Sequence, residues 1–167
     1  MLDKASDLLI RKPSQWLAYL HDPLILGLRL YVGWQFFKAG LLKIQNWDST
    51  MFLFQYEYDV PLLSPQTAAV LGTLGELAFP ILLWAGAAGR LSALGLQFVN
   101  VVAVVSYAHV IINPEFGTAA LTDHLYWGLM LLVITIYGPG RASLDYLLIR
   151  APQPADHGAG RASTVSS

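Results

Sequence analysis

Apolar residues along this chain gather into four long runs, at about residues 23–43, 66–88, 91–112 and 121–138, with short polar or mixed stretches between them. A hydrocarbon core of about 30 Å takes roughly 20 helical residues to cross, and each run reaches or approaches that length, the fourth being shortest. Spanning segments must satisfy their own backbone hydrogen bonds, so the pattern predicts an all-α fold, an integral membrane four-helix bundle over residues 23–148. Two shorter patterns predict interfacial helices. Pro13 to Leu20 place a proline in a first turn together with Trp16 and Tyr19, within an N-terminal segment 1–22. After Asn46, Asp48 or Ser49 can cap a helix in which Trp47, Met51, Phe54 and Tyr58 fall near one face, with Pro61 and Pro65 as its stop. The tail, residues 149–167, turns rich in Pro, Gly, Ala and Ser from Ala151 and reads as disordered.

Composition narrows the class further. With 55% hydrophobic and 13% charged residues, the chain is too apolar for the surface of a small soluble domain. The net charge of -1 gives no reason to expect a nucleic-acid partner. Without cysteine there is no disulfide, thiol nucleophile or thiolate-bound cluster, so any redox chemistry would need a bound cofactor. No cleavage site follows the first run, which is therefore read as a retained helix rather than a signal peptide. Lys4, Arg11, Lys12, Arg90, Arg141, Arg150 and Arg161 lie on one side of the spans, while the loops at 44–65 and 113–120 contain no Lys or Arg. By the positive-inside rule both termini are expected to be cytoplasmic.

Charged groups inside the runs mark the first candidate site. Arg29 and Glu76 lie within the first and second spans, where an unpartnered charge costs about 2.5 to 3.5 kcal/mol on insertion scales. They are expected to pair. Lys38, nine residues after Arg29, is turned about 180° around the helix and is expected to reach outward along the lipid. The pair can be a device that fixes helix register, or a proton or ligand site. Pro80 removes the hydrogen bond that the Glu76 carbonyl would accept and should kink the second span there. Gly33, Gly40, Gly72 and Gly75 permit close helix contacts, and Asn100 in the third span is expected to donate a hydrogen bond to the Arg29–Glu76 cluster.

A second candidate site lies at the outer end of the bundle. His109 and His124 come from adjacent spans at matched depth, with Tyr107, Asp123, Tyr126 and Trp127 around them in sequence. Two such histidines can hydrogen-bond the carbonyls of a quinone or another small ligand, or form an unliganded interfacial cluster; haem ranks last, and no metal site is assigned.

Several separated motifs occur in a recognisable order. They are the Arg29-containing span ending in Gly40-Leu-Leu-Lys43, the loop Asn46-Trp-Asp-Ser-Thr-Met-Phe with Glu57-Tyr-Asp-Val-Pro61, and Glu76 followed by Gly89-Arg90. Asp123-His124 with Trp127-Gly128, and the closing Gly138-Pro-Gly-Arg-Ala-Ser-Leu-Asp145, complete the set. Over about residues 20–148 the chain resembles the DoxX family of small four-span bacterial membrane proteins. That resemblance implies a supporting role beside redox or stress-defence partners, since relatives include a subunit associated with thiosulfate oxidation coupled to quinone reduction. It implies no catalytic residues.

Two functions therefore stand at this stage. One is a quinone-linked redox component with a proton site at Arg29 and Glu76. The other is a non-enzymatic anchor, or a transport component for a small solute or metal ion, whose outer loop 44–65 docks a protein partner. A homo-oligomer is expected from the small bundle and its lipid-facing glycines and tryptophans.

Overall fold

A computed structural model of the chain describes residues 17–150 except Pro114 and Phe116. The expected helix at 13–20 lies largely outside these residues, though 17–19 are helical, and the tail from Ala151 lies wholly outside them. The described residues form helices α1 (His21–Gln45), α2 (Trp47–Tyr56), α3 (Pro65–Ala85), α4 (Gly89–Ser106), α5 (Ala108–Ile111), α6 (Thr118–Tyr137) and α7 (Leu144–Arg150). No strand occurs among them.

The four long helices close a ring in which α1 touches α3, α3 touches α4, α4 touches α6 and α6 returns to α1. Three of them, α3, α4 and α6, are long and apolar enough to cross a membrane. Helix α1 is the longest at 25 residues, but it carries Arg29, Lys38 and Lys43. The apolar centre of the ring is built from Val32, Phe36, Leu83, Ala93, Leu96, Leu131 and Ile134. The outward faces carry Leu30, Leu74, Phe98, Leu129 and Ile136, each about half exposed or more. In water such a surface would be unfavourable; facing acyl chains it costs nothing.

Element boundaries differ from the expected ones where local chemistry intervenes. The third run ends at Ser106, and Tyr107 separates it from the short α5. Pro65 starts a helix instead of stopping one. It occupies the first turn of α3, where a missing N–H is harmless, and the Ser64 hydroxyl caps that turn by accepting from the Thr67 amide. Helix α3 runs through the buried Pro80 to Ala85 without a break in its assignment. The expected face of α2 is present in part: Phe54 is buried against Ala68 and Ala69, with Met51 and Tyr58 beside it, so α2 covers one end of the ring. Helix α7 follows a turn of Gly138, Pro139 and Gly140 and has no counterpart among the predicted elements.

Candidate functional sites at the two ends of the bundle

The last turn of α3 leaves carbonyls without intrahelical partners, and a Schellman turn satisfies two of them. Ala87 donates to Leu82 O at 3.0 Å and Gly86 to Leu83 O at 3.1 Å. Gly86 sits at φ 65°, and a Cβ there would stand 2.7 Å from an Arg29 guanidinium nitrogen. Glycine is therefore required at this position both by backbone geometry and by space.

Arg29 is fully buried and completes this helix end. Its Nε donates to Leu83 O at 2.7 Å and one terminal nitrogen to Trp84 O at 2.6 Å. The other terminal nitrogen donates to Pro139 O at 2.6 Å and Ala142 O at 2.8 Å. Four carbonyls and the negative end of the α3 dipole thus receive the cation. On the far side of the same knot, Asp145 takes the Ala88 and Gly89 amides at 2.7 Å each, an anion at the N-terminus of α4. Asp22, at the start of α1, accepts from the Arg141 amide at 3.0 Å. That hydrogen bond, with help from His21 and the Arg141 side chain, holds the Asp22 carboxyl below the usual carboxylate range.

Arg29 consequently does not pair with Glu76. Its guanidinium reaches the level of Leu83 and Trp84, seven or more residues from Glu76 along α3, roughly 10 Å of helix. Glu76 pairs with Lys43, whose Nζ stands 2.7 and 2.6 Å from the two carboxylate oxygens. Both side chains are largely buried, 20% exposed for Lys43 and 10% for Glu76. Gly40 makes this approach feasible, because a Cβ there would be 2.9 Å from Leu77 and 3.1 Å from the Glu76 Cβ. Lys43 stands at the boundary of the predicted span, where a cation reads as an interfacial charge rather than as a partner for a buried acid. Yet 14 residues at 100° per residue return Lys43 to within about 40° of Arg29, on the face that also holds Gly33 and Gly40. Lys38 is exposed and donates to Gln35 at 3.1 Å, as its position on the opposite face requires.

The buried layer near Glu76 contains further polar groups. Asn100 serves α6 rather than the Arg29–Glu76 region: its amide donates to His124 O at 3.0 Å, and its Oδ1 lies 2.7 Å from His124 Nδ1. This two-point contact assigns the Nδ1 proton to donation and leaves Nε2 as the remaining ring nitrogen. Trp127 meets His124 edge-on at 4.9 Å and Phe36 at 5.5 Å. The hydroxyl of Thr73, one turn before Glu76, and Oε1 of Gln97, one turn before Asn100, are buried without a hydrogen-bond partner among the described residues. Gln97 and Asn100 both lie against Gly128 on α6.

His109 belongs to a different group. A chain of edge-to-face rings runs from Phe54 to Tyr58 (5.0 Å), Tyr58 to Tyr107 (5.1 Å) and Tyr107 to His109 (5.2 Å). His109 is exposed, beside a surface hollow formed with Ala108, Ile112 and Asn113. His124 is instead engaged by Asn100 and Trp127, and Asp123 is exposed. The two histidines thus have different ring partners, and Tyr107 interrupts the helix between α4 and α5. Tyr58, placed by sequence only on the face of α2, emerges as a neighbour of the ion pair. Burial foremost, then the competing Tyr107 phenol and the nearby acids Glu76 and Glu57, push its phenol above the ordinary value.

Comparison with known proteins gives two matches. A family model described as DoxX matches residues 24–109. A protein of Haemophilus influenzae, described as uncharacterized, is 30% identical over 131 residues, covering 74% of this chain and 82% of that protein. No solved structure matches the chain.

Proposed function

The chain belongs to the DoxX family, and from that premise we propose that it is a multi-pass component of the bacterial cytoplasmic membrane that exchanges a proton at Glu76 in support of a membrane redox system. In this reading α1 is the fourth span, its charges neutralised or turned outward, and both termini face the cytoplasm, where Arg90, Arg141 and Arg150 collect. The observation that carries the proposal is the Lys43–Glu76 pair. A carboxylate held by one ammonium in a low-dielectric layer can accept a proton when that ammonium moves, and intramembrane acids of this kind mark proton relays. The Thr73 hydroxyl, one turn before Glu76 on α3, supplies a site for a bridging water. The redox part of this reading is what the family resemblance implies, and His109 and His124, which have different ring partners, are given no joint quinone site in it.

Membranes of a strain lacking the gene, complemented at matched protein levels, provide the test. Glu76→Gln is expected to lower quinone-linked proton uptake roughly 10²-fold, the usual scale of a proton-transfer group. Unchanged uptake would overturn the proton role.

The second reading, a non-enzymatic anchor docking a partner at the outer loop, is favoured by one feature. Phe52 and Tyr56 on α2, and Leu62 and Leu63 after it, are exposed, with Leu62 wholly uncovered. Alanine substitutions at Phe52 and Tyr56 should then reduce capture of that partner while leaving proton uptake intact.

A further inference from the structure

At the Arg29 end of the bundle a cavity of about 680 Å³ opens between the α3–α4 turn, the end of α6 and helix α7. Its polar wall contains Arg90, Arg141, Ser143 and Asp145, and its apolar wall Leu91, Tyr137, Leu148 and Ile149. The charges in it are not equivalent. Asp145 spends both oxygens on the Ala88 and Gly89 amides. Asp22, which faces Arg141 from α1, accepts its amide and lies 3.5 Å from its Nε, leaving a guanidinium side chain that is 74% exposed. Arg90 crosses Gly138, where a Cβ would be 3.4 Å from its Nε, and its one contact to Ile136 O is long at 3.4 Å. Arg150 adds a third cation at the rim, stacked 4.8 Å over Tyr146. Both carboxylates thus accept backbone amides, Asp22 in addition pairing with the Arg141 Nε, and the terminal nitrogens of Arg141 and the remaining donors of Arg90 have no further partner among the described residues.

The apolar wall supplies the second, independent observation. Helix α7 has no buried residue, and Leu147, Leu148 and Ile149 are 63%, 72% and 82% exposed; Leu91 is 69% exposed. Such a helix following the end of a span lies in the boundary between headgroups and acyl chains. We propose that this cavity is a binding site for an anionic glycerophospholipid, with its phosphate held by Arg90 and Arg141 and an acyl chain laid along Leu91, Leu148 and Ile149. Guanidinium groups match phosphate oxygens in pairs, and basic pockets at the end of a helical bundle take anionic headgroups. A free phosphate would satisfy the arginines and leave the apolar wall bare.

Native mass spectrometry of the full chain in mild detergent, titrated with phosphatidylglycerol or phosphatidylethanolamine of identical acyl chains, tests this. The wild-type protein is expected to bind one phosphatidylglycerol about 30-fold more tightly than phosphatidylethanolamine, from about 1 kcal/mol for each of the two arginines at the membrane surface. The doubly substituted Arg90→Gln, Arg141→Gln protein should lose that preference. Leu148→Asn with Ile149→Asn keeps both arginines and should weaken both lipids equally, a result that does not depend on the first variant folding. Equal binding of the two lipids by the wild type, or an unchanged preference in the arginine variant, would overturn the proposal. Displacement of phosphatidylglycerol by millimolar inorganic phosphate would also overturn it, by showing a small-anion site.

Discussion

Lys43 Nζ lies 2.7 and 2.6 Å from the two carboxylate oxygens of Glu76, so one ammonium near the end of α1 neutralises an acid within α3. Removing either partner leaves the other charge buried and alone, which costs more than removing both. Glu76→Gln and Lys43→Met are each expected to destabilise the protein by about 3 kcal/mol, and the double variant by clearly less. Thermal unfolding of the four proteins in one detergent checks this, and additive losses would show that the pair is not coupled.

Arg29 bridges the end of α3 to the loop after α6 through a planar fork, which an ammonium cannot reproduce. Arg29→Lys should therefore behave as a disruptive change, lowering stability by about 2 to 4 kcal/mol, with Arg29→Gln at least as severe. Proteolysis rates at the Pro139–Ala142 loop would report the loss, and a wild-type rate for Arg29→Lys would contradict the bridging role.

Asp145 caps α4 from outside the helix, taking two amides at once. Asp145→Asn keeps the shape but loses the charge and one acceptor, and should cost about 1 kcal/mol. A melting temperature indistinguishable from wild type would show that water replaces the cap.

Asp22 provides a pH test away from the bundle interior. Its folded carboxyl is held below the ordinary value of 3.8, first by the Arg141 amide. A depressed acid contributes stability that is present above the unfolded value and is lost as pH falls through the folded one. Unfolding followed from pH 5 downward should therefore show an acid limb below about pH 3.8 that is shallower in Asp22→Asn. Coincident acid limbs in the two proteins would exclude Asp22 as a source.

Much of the architecture was legible because lipid leaves few options for a chain with four long apolar runs. The outer-loop helix was also legible, since Met51, Phe54 and Tyr58 fall on the face that meets Ala68 and Ala69. The pairing of charges was not. Helical face favoured Arg29 over Lys38 for Glu76, but helix-end carbonyls compete for a guanidinium, and the open α3 terminus with the Pro139–Ala142 loop holds it in place of a distant carboxylate. The signal for Lys43 was its angular return to the Arg29 face. Asn100 was correctly a helix-to-helix hydrogen bonder, yet its partner, His124, depends on which faces α4 and α6 share. The different partners of His109 and His124, Tyr107 for one and Asn100 with Trp127 for the other, were not legible, nor was the helix break at Tyr107, which no proline or glycine announces.

The account rests on Glu76 taking up and releasing a proton beside Lys43. Infrared difference spectroscopy of the protein reconstituted in lipid, cycled between acid and alkaline buffer, observes that proton directly. A protonated-carboxyl band that appears on the acid side in the wild-type protein and is missing in Glu76→Gln is the predicted result. A carboxylate signal from Glu76 that persists unchanged across the whole cycle would contradict it and leave the pair as a fixed tie between α1 and α3.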